Sequence, residues 1–166
     1  MSTEPVTVYL GLGSNLGSRE DNLKKAMDSI AHRLRLGEVS SIYDTAPVDI
    51  PQPRFLNMAC QVTTTLPPSA LLTLVQGFES MLGRIPGRSG LPRPIDIDIL
   101  FYGDLVLDSQ ELKIPHPRMA ERAFVLVPLA EIAPDMVHPV LKRSVKQLLA
   151  AVGGKQDVIR VEPRKD

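Results

Sequence analysis

IDIDILFYG, residues 95–103, alternates apolar with acidic residues before it becomes wholly apolar. Alternation with a period of two is typical of a β-strand that has one buried face. Residues two apart on a strand project from the same face, with their Cα atoms roughly 6 to 7 Å apart. The segment is therefore predicted to be a strand that holds the carboxylates of Asp96 and Asp98 side by side.

Upstream of this strand, the sequence predicts a strand and then a helix at the start of the chain. The strand, residues 6–12, is apolar and β-branched and closes in a tight turn at Gly11 and Gly13. The helix begins at Ser18, in a pattern that resembles a capping box, and its apolar residues recur at helical spacing as far as Gly37.

Two further strands and a second helix complete the core. The strands lie within residues 39–48 and 55–66, on either side of a proline-rich loop, and the helix covers residues 67–83. The order strand, helix, strand, strand, helix, strand matches a ferredoxin-like βαββαβ core of the α+β class. Such a core has a mainly antiparallel sheet with helices on one face. The last third of the chain is predicted to be a C-terminal elaboration, with short strands and a final helix near residues 144–152.

The composition favours a single small intracellular protein. A chain of 166 residues with 43% apolar residues suits one domain, which we expect to span residues 1–166. Its 19 basic and 19 acidic side chains cancel, so neither a nucleic acid nor a membrane is expected as a partner. Cys60 is the single cysteine, which excludes an internal disulfide and suits a small buried strand residue. No leader and no apolar run of about 18 residues is present, so we expect the protein to be cytoplasmic. We also expect it to be a monomer.

The acidic pair predicts a metal site. Two adjacent carboxylates repel each other, whereas Mg²⁺ takes one or two carboxylates and fills its other positions with water and substrate phosphate oxygens. Asp96 and Asp98 would therefore suit a magnesium ion. Taken alone, the two residues are equally consistent with an ordinary half-exposed strand whose isoleucines point inward.

The loop before the acidic strand, residues 83–94, contains three glycines, three prolines, three arginines and no acid. Arg84, Arg88 and Arg93 thus place positive charge beside the acidic pair. The planar guanidinium group suits phosphate oxygens, and mobile cations that close over a metal site are what phosphoryl transfer needs. The alternative is a solvated loop that its arginines keep soluble.

The segment GLGSNLG, residues 11–17, invites comparison with the dinucleotide-binding motif G-x-G-x-x-G. The match is poor, because Leu16 occupies the position of the third glycine and the strands downstream do not alternate singly with helices. We interpret the glycines as a tight turn in which Ser14 or Asn15 satisfies nearby backbone groups.

The three histidines differ in their surroundings. His116 lies between two prolines, in a turn that would fix the direction of its imidazole, and Arg118 and Arg122 follow it. A lone histidine is more often structural than catalytic, so these neighbours are what favours a functional role. His138 and His32 lack such neighbours and are interpreted as structural.

The order of several segments resembles one family of enzymes. The segments are GLGSNLG, SSIYDTAPV, FLN, QGFESMLGR, PRPIDIDIL, IPHPRM and RAFVLVPLAEIAP. Over residues 6–138 the chain is similar to the 6-hydroxymethyl-7,8-dihydropterin pyrophosphokinases of folate synthesis. The resemblance implies a ferredoxin-like fold, two Mg²⁺ ions and ATP as the donor. It also implies AMP and the pterin diphosphate as products.

The resemblance further implies roles for individual residues. Asp96 and Asp98 resemble the ligands of both Mg²⁺ ions, and Arg84 and Arg93 resemble catalytic arginines on the phosphates. The other residues that resemble the nucleotide side are Gln76, Glu79, Arg88, Ile99, His116 and Arg122. Those that resemble the pterin side are Thr45, Ala46, Val48, Phe55, Asn57, Asp96 and Phe124. Two aromatic faces can sandwich a flat heterocycle while an asparagine amide bonds to its edge.

The chain departs from the family pattern mainly in loop 83–94. Many relatives carry a tryptophan before Gly-Pro-Arg, whereas this loop has none and is shorter. Phe55 replaces a frequent tyrosine, Ala46 replaces a proline, and Pro117 replaces an aromatic residue. Because the loop is shorter and lacks the tryptophan, its closure over ATP is expected to differ in rate or geometry. The other changes affect packing more than charge, so they weaken individual contacts without undoing the assignment.

Three other functions remain open from the residues alone. Transfer of a γ-phosphoryl group to another small alcohol would use the same acids and arginines but would yield ADP. An RNA-binding module shares this element order, although the chain has no Trp, only three Tyr and four Phe, and no net positive charge. A regulatory small-molecule-binding domain would leave the acidic pair and the arginine loop without a purpose. Magnesium-dependent ATP turnover would distinguish an enzyme from both binding modules.

Overall fold

The computed structural model describes residues 4–48, 51–85 and 91–162. Its strands are β1 (Val6–Ser14), β2 (Arg35–Val39), β3 (Tyr43–Thr45), β4 (Phe55–Thr64), β5 (Asp96–Tyr102), β6 (Leu107–Asp108), β7 (Lys113–Ile114) and β8 (Val158–Arg160). Its α-helices are α1 (Arg19–Arg33), α2 (Pro68–Met81), α3 (Ala123–Ile132) and α4 (Val145–Ala151). None of the described helices is both long and apolar enough to span a bilayer.

The strands form an antiparallel sheet in the order β5-β1-β4-β3-β8, with β2 beside β4. β6 and β7 form a separate hairpin. The predicted ferredoxin-like core is confirmed, because β1, α1, β3, β4, α2 and β5 supply its βαββαβ order. β1 therefore lies between β4 and β5, and residues 8–13 of β1 have a neighbour on each side.

The two faces of the sheet carry different helices. On one face, alternate residues of β1, among them Leu10 and Leu12, pack with Ile30 of α1 and Val75 of α2. This is the single helical face expected for the core. The C-terminal elaboration covers part of the opposite face. There Leu126 of α3 and Leu148 of α4 pack with residues of β4 and β5, namely Ala59, Leu100 and Phe101.

The structure corrects the predicted ends of β1 and α1. β1 continues through both glycines to Ser14, and the left-handed turn is at Gly17, whose φ is 74°. The helix expected to reach Gly37 ends at Arg33, because the chain turns into β2, where Leu36 pairs with Val62 of β4. Pairing with β4 overrides the helical spacing of the apolar residues.

The capping box expected at Ser18 is wrong. The Ser18 hydroxyl donates to the carboxylate of Asp21 at 2.8 Å and does not accept a bond from the helix backbone. A capping box does occur at the final helix, where Ser144 and Gln147 exchange side-chain and backbone bonds. The glutamine side chain is one carbon longer than aspartate and reaches back to the N-cap amide.

Candidate active site

A cavity of about 150 Å³ opens on the part of the sheet that α3 leaves uncovered. Its floor is formed by β1 at Gly11 and Gly13, and residues of β4, β5 and the start of α3 form its walls. The predicted site residues that line it are Thr45, Ala46, Val48, Phe55, Asn57, Arg93, Asp96, Asp98, Arg122 and Phe124. The fold thus brings together residues that lie up to 79 positions apart in the chain.

Asp96 and Asp98 project from the same face of β5, as predicted from the alternation. On the neighbouring strand they lie opposite Gly13 and Gly11. The isoleucines that alternate with them, Ile95, Ile97 and Ile99, are buried in the core on the other face. The side chain of Ile99 is 4% exposed within that core, so any contact of this residue with a nucleotide would be made by its backbone.

Arginines from the loop neutralise one of the two carboxylates. Arg84 Nη1 lies 2.6 Å from Asp96 Oδ1 and 2.5 Å from Glu79 Oε2. Arg93 Nε lies 3.8 Å from Asp96 Oδ2, which is too long for a hydrogen bond. This Nε is buried and has no hydrogen-bond partner among the described residues. It therefore retains a donor for an incoming anion. Arg88 lies outside the described residues.

Glu79 links helix α2 to the acidic strand. The residue is 8% exposed, and its Oε2 accepts a hydrogen bond from the Ile97 amide at 2.9 Å in addition to the contact with Arg84. Burial raises the pKa of the Glu79 carboxyl, and the Ile97 amide and the Arg84 charge oppose that effect. Glu79 thereby holds Arg84 beside Asp96.

Asp98 is the carboxylate for which ionisation is least favourable. Burial raises the pKa of Asp98, and the negative charges of Asp96 and Glu79 raise it further, while Arg122 and Arg84 act in the opposite direction. A divalent cation between the aspartates would remove this repulsion. Their hard oxygen ligands suit Mg²⁺. In residues 4–48, 51–85 and 91–162, no group of three or more His, Cys, Asp or Glu side chains is placed to hold a metal.

The side of the cavity predicted for the pterin contains an amide and two aromatic rings. Asn57 is 7% exposed, and its Nδ2 donates to Thr45 Oγ1 at 2.6 Å. The guanidinium carbon of Arg93 lies 5.5 Å from the centre of the Phe55 ring, and that of Arg122 lies 5.5 Å from the Phe124 ring. Both arginines therefore contact the aromatic side of the cavity, and Arg93 also lies beside Asp96 on the acidic side.

Five described residues predicted for the nucleotide side lie outside the lining of this cavity: Gln76, Glu79, Arg84, Ile99 and His116. Gln76 is exposed on α2 and lines a second concavity of about 450 Å³, together with Leu72, Thr73 and Leu112 beside the β6–β7 hairpin. His116 is half-buried, and its Nδ1 accepts a bond from the Arg118 amide at 3.3 Å. Burial and the Arg122 charge lower the pKa of His116, which favours the neutral ring. Because Nδ1 accepts a hydrogen bond, the neutral ring would carry its proton on Nε2.

Asn15 connects the two loops beside the cavity, a role that exceeds its predicted part in a local turn. Its Oδ1 accepts from the Arg93 amide at 2.8 Å, and its backbone amide donates to the Arg93 carbonyl at 3.1 Å. Its Nδ2 donates to Gln52 Oε1 and to the Pro53 carbonyl. These partners are 37 to 78 residues away in the chain, so no local pattern could have identified them.

The remaining polar residues behave as structural groups. His138 is buried, and its Nδ1 accepts bonds from the Val140 and Leu141 amides. Its ring lies edge-on to Phe101, with centroids 5.8 Å apart. His32 is exposed on α1, and Cys60 is fully buried in β4 as predicted.

Comparison of the sequence with known proteins adds a family match. The sequence model of 7,8-dihydro-6-hydroxymethylpterin-pyrophosphokinase (HPPK) matches residues 9–134. A 2-amino-4-hydroxy-6-hydroxymethyldihydropteridine pyrophosphokinase of Aquifex aeolicus is 38% identical over 85% of this chain and 89% of its own length. One of Bacillus subtilis is 45% identical over 75% of this chain and 76% of its own length. Folic acid synthesis protein fol1 of Pneumocystis carinii is 41% identical over 87% of this chain, which spans only 20% of that longer protein.

Comparison of the structure identifies the same fold in a solved protein. A crystal structure of Plasmodium falciparum HPPK-DHPS with pterin and p-hydrobenzoate superimposes with a TM-score of 0.74 at 17% sequence identity. The match covers 96% of this chain and 48% of the Plasmodium chain.

Proposed function

The chain belongs to the 7,8-dihydro-6-hydroxymethylpterin-pyrophosphokinase family, and from that premise we propose that it transfers pyrophosphate from ATP to 6-hydroxymethyl-7,8-dihydropterin. The products would be AMP and the pterin diphosphate, an intermediate of folate synthesis. The observation that carries the proposal is the position of Asp96 and Asp98 beside the unpartnered Nε of Arg93, in the same cavity as Asn57 and two aromatic rings.

We assign the metal role to the two aspartates. Asp96 and Asp98 would hold two Mg²⁺ ions, which supply positive charge to the phosphate oxygens when they are bound. The raised pKa of Asp98 supports this assignment, because burial and the nearby charges of Asp96 and Glu79 disfavour the ionised carboxylate in the absence of a cation. Arg84 would exchange its contact with Asp96 for a contact with a phosphate once the metal neutralises that carboxylate.

The reaction we propose is an in-line displacement. The hydroxymethyl oxygen of the pterin forms a bond to the β-phosphorus of ATP, and the bond from that phosphorus to the oxygen bridging to the α-phosphorus breaks. AMP leaves, and the hydroxyl proton passes to solvent. Arg84, Arg93 and Arg122 would stabilise the charge that develops, and the proton on His116 Nε2 could bond to a phosphate oxygen. Positioning and electrostatics supply most of the catalysis in such transfers.

The two substrates would occupy different parts of the molecule. Thr45, Ala46, Val48, Phe55, Asn57 and Phe124 would bind the pterin. The nucleoside of ATP would lie toward the second concavity, where Gln76 is exposed one helical turn from Glu79. We further propose that residues 1–166 form one domain, that the protein acts as a monomer in the cytoplasm, and that Arg88 joins the other loop arginines on the phosphates.

A nucleotide-product assay tests the proposed function. The protein is incubated with ATP, Mg²⁺ and the pterin, and the nucleotides are resolved. Asp96→Ala and Asp98→Ala test the metal ligands. Asp135→Ala is the matched control, because this side chain is 83% exposed and forms a surface ion pair with Lys146 at 3.2 Å. We expect AMP only when the pterin is present, no AMP from the two site variants, and unchanged AMP from the control. ADP would indicate an ordinary kinase, and no turnover would refute the proposal for this substrate.

A further inference from the structure

Gly11 and Gly13 leave a bare strip along the middle of the cavity floor. Gly13 is paired with Asn57 on β4 and with Asp96 on β5. It therefore separates the amide assigned to the pterin from a carboxylate assigned to the metal. Since neighbouring strands lie about 4.8 Å apart, these two side chains start from backbones roughly 10 Å apart. The glycines leave room there for side chains of the neighbouring strands, Asn57 at Gly13 and Leu100 at Gly11.

The backbone of Gly13 does not itself require glycine. Among the described glycines, positive φ angles occur at Gly17, Gly83, Gly103 and Gly154. Gly13 is in a regular strand, where an L-residue would adopt the same conformation without strain. The requirement at this position must therefore come from its surroundings.

The surroundings that exclude a side chain are the Asn57 amide. A Cβ atom at position 13 would lie 2.6 Å from Asn57 Oδ1, closer than Cβ atoms approach other heavy atoms in real structures. The next nearest group, Phe55 Cδ1, would be 3.5 Å away, which is an ordinary contact. The conflict is thus confined to one carboxamide group, which would have to rotate away.

Rotation of Asn57 would change the part of the site that meets the heterocycle. In the structure its Nδ2 donates to Thr45 Oγ1 at 2.6 Å, which turns Oδ1 over β1 and toward the cavity. A Cβ at position 13 would break this arrangement while leaving the buried core on the other face of β1 untouched.

We propose that Gly13 is a positioning residue for the pterin substrate, because its lack of a side chain allows the Asn57 amide to lie across β1 in a binding orientation. The inference rests on the proposed function and extends the role given there to Asn57. It predicts that enlarging residue 13 acts on pterin binding through Asn57, with much smaller effects on ATP and on folding.

Gly13→Ala tests this role against a matched control. We expect the KM for the pterin to rise roughly tenfold, as for the loss of one well-placed hydrogen bond, while kcat and the KM for ATP change less. Gly37→Ala creates the same 2.6 Å approach to a side-chain amide oxygen, that of Gln61, on β2 away from the cavity. We expect this control to leave the KM for the pterin unchanged. An equal rise in both variants would overturn the proposal.

A double-mutant cycle identifies Asn57 as the intermediary. The dissociation constant of the pterin is measured, with a non-hydrolysable ATP analogue present, in wild type, Gly13→Ala, Asn57→Ala and the double variant. If the proposal holds, Gly13→Ala adds nothing once the Asn57 amide has been removed. Equal fold-changes in the two backgrounds would overturn it.

The same cycle measured by unfolding separates this inference from the proposed function. If the wild-type protein neither binds nor turns over the pterin, the proposed function fails. Coupling between positions 13 and 57 in thermal unfolding would still show the steric contact, and additive shifts would refute it. If Gly13→Ala alone fails to fold, recovery of folding in the double variant supports the contact, and failure of both refutes it.

Discussion

At the scale of single residues, the ionisation of Asp98 in the candidate site reduces the stability of the folded protein. Burial and the charges of Asp96 and Glu79 raise the pKa of Asp98 far above that of a free aspartate. The folded state binds the Asp98 proton more tightly than the unfolded chain does. The stabilisation that this protonated carboxyl contributes is therefore fully present below pH about 4, the unfolded-state pKa. It is lost progressively as the pH rises toward the folded-state pKa of about 8.

Asp98→Asn should therefore stabilise the metal-free protein while it removes activity. We expect the free energy of unfolding in EDTA to rise by about 1 to 2 kcal/mol at pH 8, with little change at pH 4. Turnover should fall by roughly a hundredfold or more, because a proposed metal ligand is lost. Denaturant titrations at several pH values give the first result and the nucleotide assay gives the second. A variant that is less stable than wild type at pH 8 would contradict this view of Asp98.

At the scale of secondary-structure elements, the two helix starts at Ser18 and Ser144 can be compared directly. Ser144 Oγ accepts from the Gln147 amide at 3.2 Å, and the Gln147 side chain accepts from the Ser144 amide at 2.8 Å. Ser18 makes no such bond to the backbone of α1. We expect Ser144→Ala to lower the free energy of unfolding by about 1 kcal/mol, and Ser18→Ala to change it by less than about 0.5 kcal/mol. Equal losses measured by urea unfolding would show that the capping contacts are not what distinguishes these sites.

A second element-scale contact ties α3 to β3. The Tyr43 hydroxyl donates to Glu131 Oε1 at 2.6 Å, and the Ser41 amide donates to the same carboxylate at 3.0 Å. Burial acts to raise the pKa of Glu131, but the bonds from Tyr43 and Ser41 outweigh it and lower the pKa. The stabilisation is therefore present above pH about 4.3, the unfolded-state pKa, and is lost as the pH falls through the lower folded-state value.

Glu131→Gln should reveal this dependence. Because the glutamate is exposed, we expect the variant to be less stable than wild type by only about 1 kcal/mol at pH 7, with the difference disappearing as the pH falls through the lowered pKa of Glu131. Thermal unfolding followed by circular dichroism across this range measures both values. A difference that stays constant with pH would mean that the carboxylate charge contributes nothing to the contact.

At the scale of the whole molecule, one sheet separates two apolar cores. β4 and β5 contribute to both, since Met58 and Ile97 belong to the core under α1 and α2, whereas Ala59 and Phe101 belong to the core under α3 and α4. Because both cores use β4 and β5, loss of the sheet from one helical layer would also expose the apolar residues of the other layer. The two cores should therefore unfold together.

We accordingly expect a single cooperative unfolding transition. The chain has no tryptophan, so tyrosine fluorescence would report on tertiary packing and far-ultraviolet circular dichroism on secondary structure. The two transitions in urea should coincide within experimental error. A separate early transition would mean that the α3–α4 layer unfolds as an independent unit.

The sequence by itself determined the features that depend on near neighbours in the chain. Alternation put Asp96 and Asp98 on one face of a strand, composition distinguished the arginine loop, and the element order predicted the ferredoxin-like core. The family resemblance added the individual site residues, and the cavity gathers most of those that the structure describes.

Only the tertiary structure decided which distant groups meet. The register of β1 put Gly13 between Asn57 and Asp96, and the packing of two loops against each other put Asn15 in contact with Arg93. Strand pairing also ended the first helix early and kept both glycines in a strand rather than in a turn. Periodicity along the chain reports which face a side chain takes. Register and loop contacts depend on free energies shared between segments far apart in the chain, which no local pattern contains.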